Sequence, residues 1–320
     1  MTTIRFGRLA AALLLVAVLT LGAAALGACG SGDDTAASSS PSAAAAAGPI
    51  TVTDDSGVEV TLEQPAEAIV SLAPANTEIA YAVGAGDKMV AGTSYDDYPE
   101  EATALPKIGD FANPNIEKIA SFAPDLVLAA GGIQADLRGK LEDLGMTVYV
   151  VDPKTYDGVI ATIGNVGKLA GTEEAAAAVT AEMTAARQEV QDAVGDLPAA
   201  TTFLEIYGKP LMTAGADTFI DDMIVIAGGE NIGATAGSGF PNFSTEVLVQ
   251  TDPQVYIADS GSMSEPGEID ARAGFGELTA VKDGKVYIID DSIIARPGPR
   301  LAEGLRALAG YIHPEAQTAQ

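Results

Sequence analysis

Glu117-Lys118-Ile119-Ala120-Ser121-Phe122-Ala123-Pro124-Asp125-Leu126-Val127-Leu128-Ala129 and Glu246-Val247-Leu248-Val249-Gln250-Thr251-Asp252-Pro253-Gln254-Val255-Tyr256-Ile257-Ala258 align without a gap, at a constant offset of 129 residues from 117 to 246. In each copy a glutamate opens a short helical stretch. Proline then breaks it, by removing a backbone donor and crowding the preceding turn, and an apolar run follows as a buried strand. A helix-proline-strand pattern alone arises by chance. The matched Glu, Pro and terminal Ala argue instead for two related halves with the two glutamates in equivalent places.

Each half surrounds this echo with further strands. Ile69 to Leu72, Met89 to Thr93 and Thr147 to Val151 join the first copy, and Thr202 to Ile206 and Val286 to Ile289 join the second. All are short, apolar and bounded by Gly, Pro or Asp, and they alternate with helical stretches, which predicts layered α/β lobes. Between the halves, from about Tyr156 to Val194, no strand signal occurs. Val179, Met183, Ala186, Val190 and Val194 recur there at helical spacing, with Glu173 and Glu174 in the first turn and Gly195 and Pro198 at the end. One long helix from Thr172 is predicted, long enough to bridge two lobes; a covering helix of a single domain is the alternative. Before the first lobe, Thr51-Val52-Thr53 and Val58-Glu59-Val60-Thr61 flank Asp54-Asp55-Ser56-Gly57 as a hairpin.

The N-terminus is of another kind. Arg5 and Arg8 precede the apolar run Leu9 to Ala28, which ends at Cys29, the only cysteine, among small residues. This pattern resembles a bacterial lipoprotein signal with Cys29 lipidated; an uncleaved anchor is the alternative, and either puts the remainder outside the cytoplasm. Gly30 to about Gly48 is Ser-, Ala-, Gly- and Pro-rich and reads as a flexible leash. The expected organisation is a signal peptide at 1–28, a linker at 29–48, an N-terminal lobe at 49–155, an interlobe helical segment at 156–197 and a C-terminal lobe at 198–320.

Composition excludes much. The 320 residues carry 17 basic and 44 acidic side chains, a net charge of −27, so a phosphate backbone is repelled and nucleic acid is not an expected partner. One Cys and one His, His313, leave no disulfide framework and no Cys/His zinc cluster. Ser71, Ser244 and Ser292 lack a histidine base and a nucleophile elbow, and Ala227-Gly228-Gly229 lacks the Lys-Ser/Thr ending of a phosphate loop. Asp96-Asp97, Asp221-Asp222 and Asp290-Asp291 are acid pairs of the sort expected in so acidic a chain. No enzyme, no resident cofactor and no metal site are expected.

Ser71-Leu72-Ala73-Pro74-Ala75-Asn76-Thr77-Glu78-Ile79, Tyr95-Asp96-Asp97-Tyr98-Pro99, Asn115-Ile116-Glu117-Lys118-Ile119, Ala227-Gly228-Gly229-Glu230-Asn231 and Arg296-Pro297-Gly298-Pro299-Arg300 occur in that order. Together they resemble the vitamin B12-binding proteins of ABC importers, within a family that also holds ferric-siderophore and haem binders. The resemblance implies an α/β fold of two Rossmann-like lobes joined by a single long rigid helix, the class III periplasmic-binding-protein fold, with little closure on binding. It implies an interlobe cleft walled by Tyr95, Phe111, Tyr207 and Phe240. Ala73, Pro74 and Asn76 would offer backbone groups, Asn76 also as a cap for the following helix, and Asp291, Ser292 and Arg296 polar edge contacts.

It also implies that Glu117 and Glu246 meet arginines on the two permease subunits of an importer with its ATPase subunits; otherwise each merely complements a helix N-terminus. Tyr207 and Phe240, read without the family, could equally be core residues. The implied ligand is cobalamin or a related corrinoid, with a ferric siderophore second and haem third. Arg272, Arg296 and Arg300 converging in the cleft would favour the anionic siderophore, whereas haem would need a tyrosine ligand. The absence of tryptophan departs from cobalamin binders, which often place one in the cleft. A lipid-anchored monomer outside the cell membrane completes the expectation; a surface adhesin, the other class of reading, predicts a cleft without exposed aromatics.

Overall fold

The computed structural model describes residues 48–262 and 264–319; the signal segment, Cys29 and nearly all of the expected linker lie outside the described residues. Strands β1 (Ile50–Thr53) and β2 (Glu59–Leu62) form the expected antiparallel hairpin. Its turn is tied by buried Asp54. Oδ1 accepts from Ser56 N, Ser56 Oγ and Val58 N, while Oδ2 accepts from Val150 N and pairs with the Arg138 guanidinium at 2.8 Å. Burial pushes this carboxyl up, but the donors outweigh it and hold it below the ordinary aspartate value.

The first half continues as β3 (Ile69–Ser71), α1 (Pro74–Ala82), β4 (Met89–Ala91), α2 (Ile116–Ser121), β5 (Leu126–Ala130), α3 (Leu137–Glu142) and β6 (Val148–Val151). Its four strands make an all-parallel sheet in the order β4-β3-β5-β6. Helices α4 (Tyr156–Ala170) and α5 (Glu173–Val194) follow. The second half runs β7 (Ala200–Gly208), β8 (Leu211–Thr213), α6 (Phe219–Ile226), β9 (Gly229–Asn231), α7 (Thr245–Thr251), β10 (Val255–Asp259), α8 (Pro266–Asp270), α9 (Thr279–Lys282), β11 (Val286–Ile289), α10 (Asp291–Ile294) and α11 (Leu301–Ile312). Here β11-β10-β7 are parallel, and the free edge of β7 carries parallel β9 and antiparallel β8.

The sequence echo is a structural repeat. Each copy places its Glu in the first turn of a helix, α2 or α7, capped by Asn115 or Ser244. Each closes that helix with a non-glycine residue in the left-handed region, Ala123 at φ 47° and Asp252 at φ 52°, directly before the proline. Each then enters a central strand, β5 or β10. Along those strands the side chains alternate: Leu126, Leu128, Val255 and Ile257 face one large apolar core, while Val127 and Ala129 face a second cluster and Tyr256 and Ala258 a third. Both faces of each sheet are covered, as parallel sheets require.

The helical segment between the halves holds two helices, and the second, α5, begins where the single long helix was expected. Gly171, at φ 66°, ends α4 in a left-handed cap, and the chain reverses into α5. Of the two, α5 carries the expected stripe: Ala176, Met183, Ala186, Val190 and Val194 are buried and Val179 is half-buried. At 1.5 Å per residue it spans about 33 Å, with Ala175 beside Gly84 of the first half and Val194 beside Gly228 of the second. The two helices cross closely at Gly167, where an added Cβ would lie 2.3 Å from that of Ala176. The core behind them is shared. Ile69 and Val151 from the first sheet and Leu204 and Ile289 from the second belong to one continuous cluster with α4, α5, α6 and α11.

Candidate functional site

In parallel α/β sheets, ligand sites collect at the carboxyl ends of the strands. A cavity of ≈ 510 Å³ lies there, formed from the first half by residues following β3, β5 and β6 (Ala73 to Asn76, Ala130 to Ile133, Val151 to Lys154) together with Phe111. The second half contributes Asp217 to Phe219, Gly239, Phe240 and Ala295 to Pro297. Its walls are largely apolar, and Ile133 and Phe240 are exposed into open space at 65% and 47%. A volume of this size falls within the range of small-molecule pockets.

Of the residues named from sequence, Ala73, Pro74, Asn76, Phe111, Phe240 and Arg296 line this cavity. Asn76 is not a cap: it lies inside α1, whose N-cap is Ala73, and its buried Nδ2 donates to Leu128 O at 2.9 Å. Tyr95, Tyr207, Asp291 and Ser292 lie outside the cavity. Tyr95 is 60% exposed on the turn after β4. Tyr207 faces a separate cavity of ≈ 600 Å³ with Lys209, Ser262, Ser264 and Arg272. Asp291 exchanges hydrogen bonds with Ser260, and the Ser292 hydroxyl accepts from Arg300 at 2.9 Å. His313 is buried elsewhere, its Nε2 3.0 Å from Gly228 O. Among the described residues, no three His, Cys, Asp or Glu side chains cluster to hold a metal ion.

Sequence reasoning passed over Gln134, which builds the wall. Buried on the turn after β5, it accepts from Ala130 N through Oε1, and its Nε2 donates to Leu72 O and Phe111 O, each at 2.7 Å. Phe111 is thereby fastened to the ends of β3 and β5. Its signal was weak: an uncharged Gln after Gly131-Gly132 marks a turn and nothing more.

The arginines expected to offer charge to a ligand are spent on carboxylates. Glu78 of α1, buried, accepts from Arg296 Nη1 at 2.8 Å and from Arg300 Nε and Nη2 at 2.9 and 2.8 Å. Asp97, on the loop after β4, takes Arg296 in a two-pronged pair at 2.5 and 3.0 Å, and the Arg300 guanidinium lies 4.3 Å from the Tyr98 ring centroid. The Asp97 carboxyl is held below its ordinary value by the hydrogen bonds and charge of Arg296. Both guanidiniums are pushed up, Arg296 chiefly by Asp97 and Arg300 chiefly by Glu78. This clasp joins first-half α1 to the loop between α10 and α11.

Arg272 is likewise bound two-pronged by Glu205, at 2.5 and 3.1 Å, with Ser264 and Tyr256 completing the group. Burial pushes Glu205 up, yet the donors from Arg272, Ser264 and Tyr256 hold it below the usual glutamate value.

Glu117 and Glu246 are exposed, each in the first turn of an equivalent helix. Neither makes an ion pair or side-chain hydrogen bond among the described residues.

A family model described as "Periplasmic binding protein" matches residues 69–293. An uncharacterized ABC transporter substrate-binding lipoprotein of Bacillus subtilis, YvrC, is 34% identical over 83% of this chain and 86% of its own. The crystal structure of the periplasmic vitamin B12 binding protein BtuF of Vibrio cholerae is 31% identical, with a TM-score of 0.71 over 80% of this chain and 99% of that one. The periplasmic heme-binding protein RhuT of Roseiflexus is 26% identical, with a TM-score of 0.69 over 78% and 99%. Two sheets with parallel cores, the long α5 touching both halves and the cavity at the strand ends thus have a common explanation: the chain belongs to the periplasmic binding protein family.

Proposed function

We propose that the protein is the extracytoplasmic substrate-binding lipoprotein of an ABC importer, capturing cobalamin or a related corrinoid between its two sheets and delivering it to the permease. One observation carries the reading: a cavity at the strand ends whose facing walls are Phe111 and Ile133 from one half and Phe240 from the other. Flat apolar faces with a polar rim, here Asp152 and Lys154, suit a macrocycle that has an apolar ring and amide edges. A corrinoid is larger than the cavity, so its nucleotide tail would project through the open mouth. The name of BtuF supports the corrinoid and that of YvrC the role of substrate-binding lipoprotein; the ligand is read as cargo, not cofactor.

Lipidation at Cys29 would tether the protein, since more than one acyl chain is needed for stable anchoring. Glu117 and Glu246, unpaired and repeated by symmetry, would meet a permease dimer coupled to its ATPase subunits. A haem or ferric-siderophore ligand is the second reading, favoured by the likeness to RhuT. Against haem, none of the described residues that line the cavity is a tyrosine. Titrating the purified protein with cyanocobalamin, a ferric trihydroxamate and haemin decides the matter, by calorimetry or by tyrosine fluorescence in this tryptophan-free chain. Cyanocobalamin is expected to bind most tightly, with the uncharged ferric trihydroxamate weaker but measurable; an iron ligand that binds more tightly than cyanocobalamin would replace the assignment.

A further inference from the structure

Arg296 stands in the wall of the cavity, and a guanidinium there would ordinarily recruit an anionic ligand. In this chain its two faces are already occupied: Nη1 by Glu78, and Nη1 with Nη2 by Asp97. Of these carboxylates, Glu78 is buried and shared with Arg300, so removing it would strand two charges. Asp97 is different. Its side chain is 63% exposed, and the guanidinium it hydrogen-bonds is that of Arg296. The remaining charged residues lining the cavity add no positive excess. Lys154 pairs with Asp152 at 2.7 Å, and Asp217 accepts from Ser238 Oγ at 2.7 Å.

Resting on the reading of this cavity as the ligand site, we propose that Asp97 is a specificity-determining residue that cancels the charge of Arg296 and so restricts the site to uncharged ligands, excluding anionic chelates. The two arginines and two carboxylates of the clasp balance, and Asp217 leaves the cavity surroundings slightly negative, within a chain whose net charge is −27. An anion entering would lose solvation without gaining the two-pronged donor edge of Arg296, which Asp97 holds. Withdrawing the Asp97 charge leaves Glu78 facing two guanidiniums, and the one nearer the ligand then has an unused planar edge of the geometry that binds carboxylate and catecholate oxygens.

The test uses two hexadentate iron chelates of similar bulk, a neutral ferric trihydroxamate and a trianionic ferric tricatecholate, each titrated calorimetrically into wild type, Asp97→Asn and Asp97→Asn/Arg296→Gln. Wild type is expected to bind the tricatecholate at least tenfold more weakly than the trihydroxamate. Asp97→Asn should raise tricatecholate affinity about tenfold or more, as expected for a newly available charged donor. The gain should shrink as salt is raised and vanish in the double variant. Wild type binding both chelates equally, or Asp97→Asn bringing no gain, overturns the proposal. A parallel titration with cyanocobalamin keeps the two readings apart. Its failure to bind removes the corrinoid assignment, while the ratio of the two chelates still reports on Asp97.

Discussion

Phe111 and Asp259 show how differently single residues bear on this molecule. Phe111 contributes a half-buried ring to the cavity, and its own carbonyl is held by Gln134. Phe111→Ala therefore removes contact area without disturbing that hydrogen bond. Ligand affinity measured by calorimetry should fall about tenfold while the melting temperature stays within a degree or two of wild type.

Asp259, at the end of β10, is buried and is pushed up to about 7, first by that burial and then by the neighbouring Asp291 and Glu205 charges. The sign follows from proton counting. Between pH 3.8 and about 7 the folded protein holds a proton that the unfolded chain has released, so this residue's contribution to stability declines as pH rises through that window. Asp259→Asn should abolish that part of the decline and melt higher than wild type at pH 8; identical melting curves across the window would contradict it. The paired carboxylates of Asp54, Asp97 and Glu205, all lowered, act the other way, and their contribution is lost only as acid reaches their folded pKa values.

At the scale of elements, what the chain displayed locally was legible and what it assembled at long range was not. The echo at 117 and 246 foretold α2 with β5 and α7 with β10, whereas the left-handed residue before each proline, Ala123 and Asp252, was not foreseen. The stripe from Val179 to Val194 foretold α5. Strands β8 and β9 were missed because Leu211-Met212-Thr213 is three residues long and Gly229-Glu230-Asn231 has no apolar alternation; both exist by pairing with β7. The start of α5 after Gly171 was legible from Thr172 and the acidic first turn, but the separate helix α4 before it was not described.

In the site, Phe111, Phe240 and Arg296 were within reach of motif reading, but Glu78 meets Arg296 from 218 residues away, and no local pattern records that meeting. Two predictions belong here. Gly167→Ala forces α4 and α5 apart at their tightest crossing and should cost about 1–3 kcal/mol in denaturant unfolding. Reversing both charges, Glu117→Lys with Glu246→Lys, should abolish ligand uptake by cells while leaving calorimetric binding by the purified protein intact; parallel loss of both would remove the docking role.

Considered whole, the molecule has two sheets but one inner core, and it adds an ionic clasp beside the α5 strut, where Glu78, Tyr98 and Arg300 share a cavity wall with Val179 and Glu182. Interdigitated apolar side chains do not slide without loss of packing, and the cluster running from Ile69 through α5 to Ile289 would have to be torn for the halves to separate. Differential scanning calorimetry should accordingly give one unfolding transition, with calorimetric and van't Hoff enthalpies in agreement. Two resolved transitions would mean that the halves melt independently.

The same undivided interior bears on traffic at the membrane. A carrier that barely changes outline between its vacant and its laden form gives a transporter little by which to tell them apart. Vacant copies then compete for the same berth, and overproducing the carrier when nutrient is scarce would slow import rather than hasten it.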